Sequence, residues 1–192
     1  MPRIQTQTLG EHRDWRRAQL IEAAAEIARQ SGGAAITVAA VAQRAGLSRT
    51  SVYEYFSSSA DLVADLIIEE LDGFANILQE AVGECSDPHT CIELWIDGAL
   101  RYIARGSHLL AKALNATSLP LDRAAQIGAA HRALLAPLHN ALTALGVPDI
   151  AQALAYIQSA TDVATARIET GYEAEAEIKA ATAFCLGGLA SL

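Results

Sequence analysis

An all-helical fold is predicted by three observations on this 192-residue chain. Alanine, the best helix former, recurs throughout, while proline is held to 5 residues and glycine to 13. Apolar residues repeat at helical steps of three and four, and no stretch alternates as a half-buried strand would. Ser, Thr or Asp stands before several of the apolar runs, where a helix N-cap belongs. About nine helices are expected: a three-helix head over residues 1–58, then a helical body over 59–192.

The elements follow in order. Residues 1–10 carry no apolar periodicity and are expected to form a loose arm. Residues 11–31 put Leu20, Ala24, Ile27 and Ala28 on one side of a helix that Gly32 and Gly33 end. Thr37 caps the next helix, where Val38, Val41, Ala42 and Ala45 form one apolar stripe. Gly46 stands where a helix end needs a left-handed residue. Ser48 caps a third helix that ends near Phe56, with Leu47 and Val52 at the positions of a hydrophobic staple; Ile36 and Val41 repeat that staple one helix earlier. Two capped helices around one glycine turn make a helix-turn-helix.

Ser58 caps a long fourth helix to about Gly83, with Asp61 at the capping-box position. Body helices are expected over 90–105, 107–115, 119–145 (bending near Pro137), 149–170 and 172–189. Ile150, Leu154, Ile157, Thr161, Ala164 and Ile168 form a packing seam, continued in style by Ile178, Ala181, Cys185 and Leu189. Such a seam serves either an intrachain core or a two-fold interface between subunits.

Net charge is −8, unevenly spread. Residues 1–58 carry seven arginines against five acids, and the remainder seven basic residues against seventeen acids. A mildly basic head on an acidic body is compatible with local phosphate binding. No run of eighteen uncharged apolar residues and no hydrophobic signal core occurs, so no membrane partner is expected and the location is expected to be cytoplasmic.

Residues 16–66 resemble the TetR family of one-component bacterial regulators. The resemblance rests on Leu20-Ile-Glu-Ala-Ala-Ala-Glu-Ile27, the glycine at 32, Thr37-Val38, Val41-Ala42, Ala45-Gly46-Leu47-Ser48 and Tyr53-Glu-Tyr-Phe56 followed by Asp61-Leu62. It implies a DNA-binding head, a ligand-binding body and a homodimer through about 149–170 and 172–189. It further implies repression at a double-stranded DNA operator, released by a small-molecule effector. The family pattern has a lysine just after the cap of the fourth helix; here that position is Ser59. Ala39 and Ala40 likewise stand where polar side chains are common in the family.

Expected DNA contacts follow from side-chain chemistry. Thr37 and Ser48 lie at helix N-termini, where N–H groups and the helix dipole favour an anion. Tyr53 and Tyr55 are long enough to donate an O–H to phosphate, unless they pack on the head's own core. Arg49 is the expected base reader, because its fork matches guanine O6 and N7. Thr50 and Ser51 are expected at bases or a thymine methyl, and Arg13, Arg16 and Arg17 at the backbone or minor groove. For the effector, Trp95, Tyr102, Asn115, His131, Gln158 and Asp162 are candidates, with Asp162 beside the apolar seam facing a cavity.

Other classes are disfavoured. Neither a phosphate-cradling glycine loop nor a catalytic motif such as HExxH or G-x-S-x-G is present, and the five histidines have no matching partner spacing, so no enzyme, cofactor or metal is expected. Cys85 and Cys91 flank His89 in no trusted zinc spacing and are expected as reduced thiols in a turn, with Cys185 inert on a packing face. The alternative function is a helical interaction protein that has lost DNA binding, which Ser59 and the small positive excess favour.

Overall fold

The computed structural model describes residues 9–106 and 121–191. Among them are eight α-helices and no strand. They are α1 (Leu9–Ser31), α2 (Val38–Ala45), α3 (Arg49–Tyr53), α4 (Ser59–Val82), α5 (Pro88–Ala104), α6 (Ala124–Leu145), α7 (Ile150–Glu169) and α8 (Ala174–Leu189), with short 3-10 turns at Gly33–Ala35 and Leu121–Arg123. The helix expected over 107–115 lies outside the described residues. So does most of the expected arm, but α1 begins two residues before the expected start and takes in residues 9 and 10.

The local signals act as their chemistry dictates. Thr37 Oγ1 accepts from the N–H of Ala40 at 3.1 Å, and Ser48 Oγ from that of Ser51 at 3.0 Å. Gly46 takes φ 68°, and the N–H groups of Gly46 and Leu47 reach back to the carbonyls of Gln43 and Ala42. This pair of bonds is a Schellman end, and only glycine adopts that φ without a Cβ penalty. Ser58 Oγ accepts from Asp61 N–H, while Asp61 Oδ2 accepts from the N–H and hydroxyl of Ser57, so the fourth helix starts at a variant of the capping box whose return bond reaches the residue before the cap. Thr37→Ala is expected to cost about 1 kcal/mol in chemical denaturation, with Thr37→Ser nearly neutral.

Two compact units result. Described residues 9–70 and 121–127 form the first. Its core holds Leu20, Ile21, Ala24, Val41, Val52, Phe56, Leu62 and Leu66, all essentially removed from solvent. At about 1.5–3 kcal/mol for each large apolar side chain buried, this core dominates the caps and surface ion pairs around it. The first three turns of α4, placed by the sequence in the body, pack here.

Residues 71–106 and 128–191 form the second unit, around Leu78, Ile92, Ile96, Leu100, Leu138, Leu142 and Ile157. Helix α5 packs on α7 and α8, and α7 on α8. Gly98 lets α4 and α5 approach closely: a Cβ there would stand 3.1 Å from Ala81 Cβ and 3.3 Å from Leu78 Cδ2. Helix α5 begins two residues before the expected 90, because Asp87 caps it by accepting from the N–H of Thr90 (2.9 Å), and Pro88 sits at its first position. Those bonds from Thr90 hold the Asp87 carboxyl below its ordinary value. Helix α6 runs on through Pro137, as the continuous helix expected to 145 requires, but starts at Ala124 rather than 119.

Cys85 and Cys91 depart from expectation. They are joined by a disulfide rather than left as reduced thiols, while Cys185 is free and buried as expected. The bond closes a loop of sequence separation 6 across the turn between α4 and α5. Closing a loop this short is expected to stabilise the fold by about 2 kcal/mol. Reductant should therefore lower the unfolding midpoint of the wild type and leave that of Cys85→Ser unchanged.

Candidate nucleic-acid interface

The head presents α3 outward over a closed core. Val52 and Phe56 point inward and are buried, so residues between and around them project to solvent. Arg49 and Thr50 are exposed, and Tyr53 is 57% exposed. Ser51 is half-buried, and its hydroxyl lies 2.9 Å from that of Ser48. Tyr55 is half-buried and packs against the head core, which makes it at least partly structural. Helix α3 itself is shorter than expected: it ends at Tyr53, although Phe56 N–H still reaches Val52 O at 3.0 Å.

The capping hydroxyls keep a second function. A hydroxyl has one donor and two acceptor sites. Thr37 Oγ1 uses an acceptor site for its cap, so its O–H stays available to an outside oxygen.

Ion pairing sorts the arginines of the head. Arg29 pairs with Glu22, and Arg44 with Glu26 and Gln30. Arg17 is paired with Asp65 and Glu69, and its guanidinium lies 5.7 Å from the Phe56 ring centroid. Its charge is thus paired with acids of α4, while the side chain stays 41% exposed. Arg16 lies over Trp15 at 5.4 Å. Arg13 and Arg49 have no ion-pair partner among the described residues. Among the described residues of the head, the positive charge without an ion-pair partner lies on Arg13, Arg16 and Arg49.

A buried charge cluster lies in the same unit and was not foreseen. Asp65 is 7% exposed and is held between Arg17 and Arg123, with Arg123 also 3.5 Å from Asp61. A buried carboxylate is tolerated only when paired in this way. Arg123 follows Asp65 by almost sixty residues, so no local pattern links them.

The five effector candidates among the described residues are not brought together. Trp95 is a core residue whose Nε1–H donates to Leu134 O at 3.2 Å. Tyr102 stacks on Phe74, centroids 4.2 Å apart. His131, Gln158 and Asp162 lie on the surface, so Asp162 faces solvent rather than a cavity. Asn115 lies outside the described residues.

The seam of α7 and α8 is likewise reassigned. Ile157, Thr161, Ala164, Ile178, Ala181, Cys185 and Leu189 are buried within the chain itself. The neighbouring stripe is the unpartnered one. Tyr156, Val163 and Phe184 are 59%, 61% and 73% exposed, and together with Ala160 and Gly188 they line an apolar hollow of about 520 Å³. Arg167 closes the turn between the two helices, pairing through both nitrogens with Glu177 at 2.8 Å and lying 3.8 Å over the Tyr172 ring. Among the described residues, no helix is long and apolar enough to cross a membrane, and no group of three or more His, Cys, Asp or Glu is placed to hold a metal ion.

Comparison with known proteins agrees with this architecture. Residues 20–66 match the model of the bacterial regulatory proteins of the tetR family. Fatty acid degradation regulator FadR from Bacillus halodurans superposes with a TM-score of 0.71 at 21% identity, covering 91% of this chain and 96% of its own. Transcriptional regulator FadR from Bacillus subtilis, solved in complex with stearoyl-CoA, superposes at 0.72 and 22%, covering 89% and 98%. The superantigen PfiT shares the fold at 0.75 and 19%, covering 88% and 95%. No curated protein matches the chain by sequence. Residues 20–66 thus carry the N-terminal pattern of the tetR family, and the backbone follows the all-helical fold of these solved structures.

Proposed function

We propose that the chain is a DNA-binding transcriptional regulator, a repressor released from a pseudo-palindromic double-stranded operator when a small molecule binds the body. The observation that carries this reading is α3: a capped helix whose outward residues include an arginine with no ion-pair partner among the described residues. Arg49 reads base edges. Thr50, Ser51 and Tyr53 contact bases or phosphates beside it, and the hydroxyls of Thr37, Ser48 and Tyr55 donate to phosphate. Arg13 and Arg16 supply backbone charge. DNA reading belongs to the head before residue 59, and effector binding and pairing to the remainder.

Pairing uses the exposed stripe of α7 and α8, where Tyr156, Val163 and Phe184 of two copies form a four-helix interface. An apolar patch of this kind is a marker of an interaction site in a soluble protein. A dimer also supplies the second head that the modest positive charge calls for. The small-molecule effector draws support from the acyl-CoA found in the FadR structure of Bacillus subtilis, and acyl-CoA thioesters are the first class to test.

Selection of bound sequences from random duplexes, with and without such ligands, tests the reading. Inverted repeats are expected, with half-sites one or more helical turns of about 34 Å apart. Affinity should fall steeply with salt through counterion release. Failure to enrich any sequence at low salt would instead favour an interaction protein that has lost DNA binding, a reading to which Ser59, at the start of α4, lends its missing cation.

A further inference from the structure

We propose that the cleft between α5 and α8 binds a small zwitterion, an organic molecule with an ammonium and a carboxylate separated by a short aliphatic stretch. The cleft encloses about 670 Å³, within the range of small-molecule sites. It lies on a different flank of α8 from the apolar stripe around Phe184 and includes none of the effector candidates.

The helices are pinned at one end. Arg101 in the last turn of α5 pairs with both carboxylate oxygens of Glu175 in the first turn of α8, and its Nε–H donates to Asp97 at 2.7 Å. The two helices therefore run antiparallel along the cleft. Those three charges satisfy one another, and Arg101 holds the Glu175 carboxyl below its ordinary value.

Two charged groups of the lining are left over. Glu93 and Lys179 have neither an ion-pair nor a hydrogen-bond partner among the described residues. Counting from the Arg101–Glu175 pair at 1.5 Å per residue, Lys179 lies about 6 Å and Glu93 about 12 Å along the groove. Both side chains are exposed over the same groove and unpaired with each other, an arrangement that suits a bridging molecule with opposite charges at its ends. Its ammonium meets Glu93 and its carboxylate meets Lys179. Leu94, Ile178 and Leu186 supply apolar walls for the spacer.

An independent observation points to a ligand at the same place. Thr182 lies on this lining between the levels of Lys179 and Glu93 and is 8% exposed. Its Oγ1 is buried without a hydrogen-bond partner. Buried hydroxyls are ordinarily satisfied, and a carboxylate drawn in by Lys179 gives this one an acceptor.

NMR titration of the full chain at pH 7 with 6-aminohexanoate, hexylamine and hexanoate tests the proposal. The expected result is saturable binding of 6-aminohexanoate, about tenfold tighter than either single-charge homologue, with shifts at the Lys179 and Thr182 amides. Glu93→Gln should weaken 6-aminohexanoate about tenfold and leave hexanoate unchanged. Lys179→Gln should spare hexylamine, and Thr182→Val should weaken 6-aminohexanoate about threefold. Equal affinity for the three probes, absence of saturable binding, or shifts elsewhere on the surface would each overturn it. Thermal melts of the variants, expected to match wild type because Glu93 and Lys179 are exposed, separate loss of binding from loss of fold. Operator binding is not involved, so the outcome is independent of the proposed regulation.

Discussion

Arg49→Ala is expected to weaken binding to the selected operator by about 1–3 kcal/mol, a loss of roughly 5- to 150-fold, while binding to random duplex falls far less. The difference is the signature of base reading. A phosphate contact contributes equally to every sequence, whereas a guanidinium fork on guanine is lost only where the guanine is. Arg49→Lys should recover the general affinity without the preference, because an ammonium keeps the charge but not the two parallel donors. Fluorescence anisotropy at several salt concentrations, on the selected site and on a scrambled one, decides the matter. Parallel loss on both would remove Arg49 from base readout and leave it as a phosphate anchor.

Phe184→Glu is expected to have the larger effect. The ring is 73% exposed in the single chain, so the variant should fold, and its unfolding midpoint should stay near wild type. In a two-fold assembly the substitution would bury two carboxylates in an apolar seam, and a buried unpaired charge is not tolerated. Light scattering should then report a mass near 20.2 kDa in place of about twice that value. Operator affinity should drop by about 10² to 10⁴, because two linked heads act at a raised effective concentration and one does not. A wild type that is already monomeric, or a variant that stays paired, would remove this face from the assembly.

What could be read in the sequence was local. Thr37, Ser48 and Ser58 each cap the helix that follows, since a cap is a matter of three or four adjacent residues. Asp87 was equally legible, with Pro88 after it at the preferred first position, but the surrounding Ser and Gly residues disguised it as turn. The stripe of α7 was harder. Ile157, Thr161 and Ala164 face the chain's own core, while Tyr156, Ala160 and Val163 one step round are also largely apolar. Periodicity finds both stripes and cannot say which is inside until the packing partners are known.

The site residues divide the same way. Arg49, Thr50 and Tyr53 are exposed because Val52 and Phe56 anchor the other side, and that pattern is written in the eight residues 49–56. Whether an arginine is free is not. Arg17 is neutralised by Asp65 on α4, and the pairing of Asp65 with Arg123 joins residues almost sixty positions apart. The scatter of Trp95, Tyr102, His131, Gln158 and Asp162 has a similar cause, since polarity on a helix fixes neither its orientation nor its depth.

The place of Asp65 bears on how the molecule can be dissected. A fragment cut after residue 58 would strip away Leu62 and Leu66, uncovering Phe56 and Leu20, and would leave Arg17 with neither acid. Extending it to residue 70 would restore those apolar partners but bring in Asp65 without Arg123. A transplanted reading head that keeps both of Asp65's arginine partners therefore has to carry residues 121–127 along with those before residue 71.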